Sequence, residues 1–142
     1  MLASLLVSLT TPALAQDLVH VGTLEVTYCW SSTTFDTRCP RTHVEMWADD
    51  VDATDGDAEV TVVILDNGQT FEDSAWGTWS MFEKVTRSGA IKDKLRIKFT
   101  GDNGVRYTGT LKNHGCYDGR MKTLPSNTSA VAVEGVFRAC EL

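Results

Sequence analysis

The sequence predicts an all-β domain whose strands close, or nearly close, into one antiparallel sheet. Three observations point there. From residue 77 to 140 the chain is a run of short segments in which apolar and polar residues alternate, as in Leu95-Arg96-Ile97-Lys98-Phe99 and Gly135-Val136-Phe137-Arg138-Ala139-Cys140. A period of two marks a strand with one buried face. Asp66-Asn67-Gly68 and Asp102-Asn103-Gly104 supply hairpin turns, because Asn-Gly tolerates the positive φ angles such turns need. Beyond one turn predicted at 81–85, no stretch has helical periodicity. Eight or nine short strands joined by tight turns form the pattern of a barrel or a sandwich.

The elements follow in order. Residues 1–15 precede the fold: an apolar run at 2–9 leads to Ala13-Leu14-Ala15, an A-x-A site with Gln16 after the cut. The segment reads as an export signal, too short to span a bilayer, and no later stretch is apolar enough to cross one. The domain is then 16–142, one unit by size, able to bury roughly two thirds of its unfolded surface. A first strand at 20–30 carries Val21, Leu24, Val26 and Tyr28, and a polar loop at 31–41 follows. The strand at 42–48 places Val44 and Met46 on one face and His43, Glu45 and Trp47 on the other, with Trp47 expected at a rim. After an acidic loop at 49–57, the mostly β-branched run at 59–65 reads as a well-buried strand. Two short strands are predicted at 70–72 and 76–84, then strands at 94–100 and 105–111. Asn113-His114-Gly115 turns the chain into a strand over 115–121, and a loop around 126–129 precedes the last strand, over 131–140.

Parity gives each late strand two faces. Leu95, Ile97 and Phe99 share the inward side with Val105, Tyr107, Gly109 and Leu111, then with Tyr117, Gly119 and Met121, and with Val131, Val133, Gly135 and Phe137. Four cysteines in an exported chain read as two disulfides with three possible pairings. The absence of C-x-x-C argues against zinc and thioredoxin-like chemistry. A Cys29–Cys39 bridge closes a short loop at the end of the first strand. Cys116 and Cys140 both fall on the outward parity; set opposite each other, they place Gly119 against Phe137 and Met121 against Gly135. An aromatic over a bare glycine is a favourable cross-strand arrangement, so this pairing is preferred.

The net charge of −6 hides an asymmetry. Residues 17–75 hold thirteen acids against Arg38 and Arg41, a balance of −11, whereas residues 76–142 hold six acids against eleven Lys or Arg, a balance of +5. On the outward parity, Lys94, Arg96, Lys98, Arg106, Arg120, Lys122 and Arg138 form either a cationic surface for an anionic glycan, lipid headgroup or acidic protein, or a solvated face paired to Asp118 and Glu134. Nucleic acid is not expected as a partner, for want of any recognition motif. Tyr28, Trp79, Tyr107, Tyr117 and Phe137 are candidates for the lining of an internal cavity, against the alternative that the barrel is filled by its own side chains. Asp49, Asp50, Asp52, Asp55 and Asp57 invite a calcium reading, but EF-hand spacing fails, so a solvated loop is expected and no metal or cofactor is assigned. His43-Val44-Glu45 has the H-x-E of zinc deaminases without a following P-C-x-x-C, and His20, His43 and His114 have no partner nucleophile, so no catalytic residue is assigned. Asn127-Thr128-Ser129 is an acceptor sequon for a eukaryotic source.

Thr70-Phe71, Gly77-Thr78-Trp79-Ser80, the L-x-I-x-F strand, Tyr107-Thr108-Gly109-Thr110, Gly119-Arg120-Met121 and the closing Gly-Val-Phe-Arg-Ala-Cys together resemble small exported bacterial proteins with a calycin-like barrel, distant relatives of lipocalins and avidins. Gly22-Thr23-Leu24 stands where lipocalins open with G-x-W. The resemblance implies a single up-and-down antiparallel barrel, periplasmic or extracellular, that holds a small apolar or amphipathic ligand or serves as an accessory module. The alternative expectation is a protein-binding or inhibitor module that works through the basic outer face.

Overall fold

The computed structural model describes residues 17–100, 104–124 and 133–142. Eight antiparallel strands follow one another in chain order around a closed barrel: β1 (Val19–Trp30), β2 (Arg41–Ala48), β3 (Asp55–Ile64), β4 (Thr70–Val85), β5 (Ile91–Phe99), β6 (Val105–Leu111), β7 (Tyr117–Thr123) and β8 (Glu134–Glu141). Closure comes from β1 pairing with β8 over Leu24–Trp30, so neither edge is left open. Both predicted disulfides are present, Cys29–Cys39 and Cys116–Cys140. Disulfides of this kind belong to an oxidising compartment. The expected signal segment at 1–15, Asp102-Asn103, Val131 and the Asn127 sequon lie outside the described residues.

Alternation works as the sequence predicts wherever charge marks one face. Thr42, Val44, Met46 and Ala48 are buried on β2, Leu95, Ile97 and Phe99 on β5, and Gly135, Phe137 and Ala139 on β8. Gly119 lies opposite Phe137, and Met121 opposite Gly135. The interior is apolar and the outside charged, the reverse of what a lipid-facing barrel needs. Among the described residues no helix is long and apolar enough to cross a membrane.

Four expectations are corrected. The strands predicted at 70–72 and 76–84 are one sixteen-residue strand, β4. Asp73 and Ser74 are poor strand formers and fall at a register shift, but β3 pairs on both sides of them, Val62 with Glu72 and Val60 with Ala75. The helical turn expected at 81–85 is the far end of β4, held in register with β5 from Met81–Leu95 to Val85–Ile91. β3 begins at Asp55, inside the supposed acidic loop, because Gly56 lets its backbone lie against Trp47 and Ala48 of β2. Leu111 and Val133, expected inside, are 39% and 40% exposed, since one ends β6 and the other precedes β8.

Three hairpins share one loop. In Asp66-Asn67-Gly68 the Gly68 N–H donates to the Leu65 carbonyl at 2.9 Å, and the Leu65 N–H to the Gln69 carbonyl at 2.8 Å. Arg87-Ser88-Gly89 and Asn113-His114-Gly115 repeat the pattern, and the three glycines have φ of 84°, 86° and 88°. This is a type I turn closed by a left-handed glycine, so positive φ falls on the third residue alone and Asn67 does not share it. The Ser88-Gly89 dipeptide was a legible turn signal that strand pattern alone passes over.

Candidate functional site

The centre of the barrel is filled. Leu24, Val26, Leu95, Ile97, Met121 and Phe137 are each at most 1% exposed, and Tyr107 meets Phe137 edge-on with ring centroids 5.2 Å apart. What remains is a cup of about 350 Å³ at one mouth, where β1, β3 and β5 end and β2, β4 and β6 begin. Tyr28, Trp30, Phe99 and Tyr107 give it aromatic walls; Val60, Val63, Ala75 and Val105 complete the apolar lining. Its polar groups are Thr42, Asp73 and Ser74. The Thr42 hydroxyl is already used, donating to the Val62 carbonyl at 2.6 Å.

A bulge shapes this cup. Thr61 is an extra residue of β3 relative to β2, so Val60 pairs with Val44 but Val62 pairs with His43. The flip turns Val63 toward the axis, opposite buried Thr42 on one side and half-exposed Phe71 on the other. Burial, and then the charge of Asp73, push the Tyr28 phenol above its ordinary range. Burial pushes Tyr107 further still, so both phenols enter the cup as neutral O–H groups.

The five predicted cavity residues therefore do not share one cavity. Tyr28 and Tyr107 line the cup, and Phe137 packs beneath it. Trp79 is buried toward the other end, its indole N–H donating to the Trp47 carbonyl at 3.0 Å, and it borders a separate recess of about 210 Å³. Tyr117 is half-buried near that same end, at the start of β7. Trp47 lies on the outer surface against His20, with ring centroids 5.0 Å apart. Trp30 was legible, since it shares the parity of Tyr28; Phe71 and Asp73 were hidden by the division of β4 into two strands.

Each histidine is held by a carboxylate outside the barrel. His20 Nε2 lies 3.0 Å from Glu45, His43 Nε2 3.3 Å from Glu25, and His114 Nε2 3.0 Å from Asp118. All four cysteines are in disulfides, so none is a free nucleophile. The acidic residues also disperse: Asp52 N–H donates to Asp50 Oδ1 in the loop, whereas Asp55 and Asp57 belong to β3. Among the described residues no three His, Cys, Asp or Glu side chains are grouped to hold a metal.

The seven basic candidates divide in two. Arg138 is engaged: its Nε and Nη2 donate to Asp118 at 2.7 and 3.0 Å, and its guanidinium lies 4.3 Å from the Phe35 ring centroid. Lys94 donates to Thr110 Oγ1 at 2.6 Å. Arg96 lies over Phe82 at 5.2 Å, and Lys98, Arg106, Arg120 and Lys122 are exposed. None of these five forms an ion pair among the described residues, although Glu134 stands opposite Lys122.

The hydrogen bond from Arg138, then that from His114, holds the Asp118 carboxyl below its ordinary value of 3.8. A depressed carboxylate stabilises the fold above the unfolded value, and that contribution is lost as pH falls through the folded one. Acid unfolding below pH 3.8 should therefore be less steep in Asp118→Asn, which also lowers stability at pH 7. Identical acid limbs for the two proteins in pH-dependent thermal melts would refute the linkage.

Comparison with protein-family models, curated proteins and solved structures yields no match.

Proposed function

We propose that the protein is an exported, non-enzymatic barrel of the calycin-like kind that holds a small apolar or amphipathic molecule in the cup beside Tyr28, Trp30 and Tyr107. The observation that carries this reading is an aromatic-walled cup of about 350 Å³ above a filled core. That volume is at the small end of ligand sites, roughly 300–1,000 Å³, and apolar walls with a few polar groups are their usual composition. Asp73 and the Tyr28 hydroxyl supply polar contacts at the rim. Neutral phenols and a mostly apolar, aromatic lining favour binding over catalysis. The A-x-A segment and the two disulfides support export to the periplasm or beyond.

Native mass spectrometry of protein purified from its source, followed by displacement of an environment-sensitive apolar dye, tests the reading. The dye should quench Trp30, and Trp30→Ala should weaken its binding by about tenfold, the effect of losing about 1.4 kcal/mol of aromatic contact. A wild-type protein that carries no molecule and takes up no dye would sink the proposal.

A further inference from the structure

The outer surface of β5–β7 carries an arrangement that neither the cup nor the core explains. Register places Lys98 opposite Arg106 and Arg106 opposite Lys122, three cations in one cross-strand row. The next outward row is Arg96, Thr108 and Arg120. Neighbouring strands are about 4.8 Å apart and successive outward residues about 7 Å apart along a strand. Five cations thus occupy five positions of a two-by-three grid, with the Thr108 hydroxyl at the sixth. Like charges directly opposite one another oppose folding, and none of the five is paired with a carboxylate among the described residues. The chain carries a net charge of −6, and the grid concentrates five of the eleven cations of its basic half on one outer face.

A cleft of about 450 Å³ adjoins the grid at Arg120. Ser31, Ser32, Thr33 and Glu134 give it polar groups and Val133 and Val136 an apolar wall, with the Ser32 hydroxyl already donating to the Thr34 carbonyl at 2.8 Å. Ser31 is held there at φ 55°, its N–H donating to the Glu134 carbonyl at 2.7 Å. Hydroxyls and a carboxylate beside a cation lattice suit a sugar chain that carries acidic groups. A folded protein partner is less well matched, because none of the six grid positions carries an aromatic anchor of the kind that dominates protein interfaces. A bilayer would need apolar side chains to insert, and the five grid residues provide none.

We infer that this face binds an anionic polysaccharide, its sulfate or carboxylate groups on the Lys98–Arg106–Lys122 and Arg96–Arg120 rows and its sugar hydroxyls in the Ser31–Thr33 cleft. This site is independent of the cup. Binding of the full domain to dextran sulfate and to alginate, with neutral dextran alongside, tests it and separates sulfate from carboxylate recognition. Binding to at least one acidic polymer is expected, weakening as salt rises. The variant Lys98→Gln/Arg106→Gln/Lys122→Gln should lose at least about tenfold in affinity. The variant Lys84→Gln/Lys92→Gln/Lys112→Gln removes the same charge elsewhere and should bind as wild type. All six positions are exposed, and unchanged melting temperatures confirm the fold; Arg96→Gln/Arg120→Gln gives a second reading if the triple variant melts early. The inference is overturned if neither acidic polymer binds, if grid and control variants behave alike, or if polyglutamate or phosphatidylglycerol vesicles bind and the polysaccharides do not.

Discussion

Gly119→Ala should abolish the stable barrel, or lower its melting temperature by more than about 10 °C, a loss of about 3 kcal/mol or more. Gly119 of β7 lies opposite Gly109 of β6 and, on its other side, opposite Phe137 of β8. A Cβ built on Gly119 would fall inside the contact radius of the Thr108 carbonyl oxygen and 2.5 Å from the Gly109 Cα. Both are backbone atoms of the neighbouring strand, so relief requires the sheet itself to move. At Gly109 the added carbon would first meet the Phe137 ring tip at 2.9 Å and then the Asp118 carbonyl at 3.1 Å. A ring tip yields more readily, so Gly109→Ala should cost less. At Gly68 nothing lies within 4 Å, and the cost is only that of φ 84°, about 1–2 kcal/mol. The expected order of melting temperatures is Gly68→Ala, then Gly109→Ala, then Gly119→Ala. Phe137→Ala alone should cost about 3–5 kcal/mol because the ring fills the space these glycines leave. Combined with Gly109→Ala it should cost less than the sum, whereas it cannot rescue Gly119→Ala. Wild-type stability for Gly119→Ala would overturn this account of the β6–β7–β8 packing.

Removing the Cys116–Cys140 bridge should cost about 3.5 kcal/mol from chain entropy for a separation of 24 residues. Cys29–Cys39, with a separation of 10, should be worth about 2.7 kcal/mol. Both bridges sit beside the seam that closes the barrel. Cys29 of β1 pairs with Val136 of β8, and Cys140 of β8 pairs with Glu25 of β1. That seam joins the first strand to the last, the costliest loop closure in the molecule. Hydrogen exchange should accordingly show β1–β8 amides losing protection first in Cys116→Ser/Cys140→Ser. Denaturation midpoints that fall further for Cys29→Ser/Cys39→Ser, or amide protection lost elsewhere first, would contradict this ordering.

Much of this was legible in the chain. Lys94-Leu95-Arg96-Ile97-Lys98-Phe99 announces both faces of β5, and the shared outward parity of Cys116 and Cys140, with the Gly119–Phe137 match it allows, gave the preference for their pairing. The cup was not legible. Val60-Thr61-Val62-Val63-Ile64 is apolar throughout, so alternation says nothing about which residues face in, and the Thr61 bulge decides it. Asp73 and Phe71 were lost because Glu72-Asp73-Ser74 reads as a break in isolation and is held in one strand only by β3 pairing on either side, at Glu72 and at Ala75.

By itself the sequence determined an all-β chain and most of the inward and outward residues on the late strands, and gave grounds to prefer one disulfide pairing of three. Those follow from a period of two, which any single strand displays along its own length. Only the tertiary structure decided that the barrel closes with eight strands, that its centre is filled and that an aromatic-walled cup lies at one mouth. It also decided that Lys98, Arg106 and Lys122 stand in one row. Register between strands is set by bulges, turns and closure, which bring together residues that no local pattern relates.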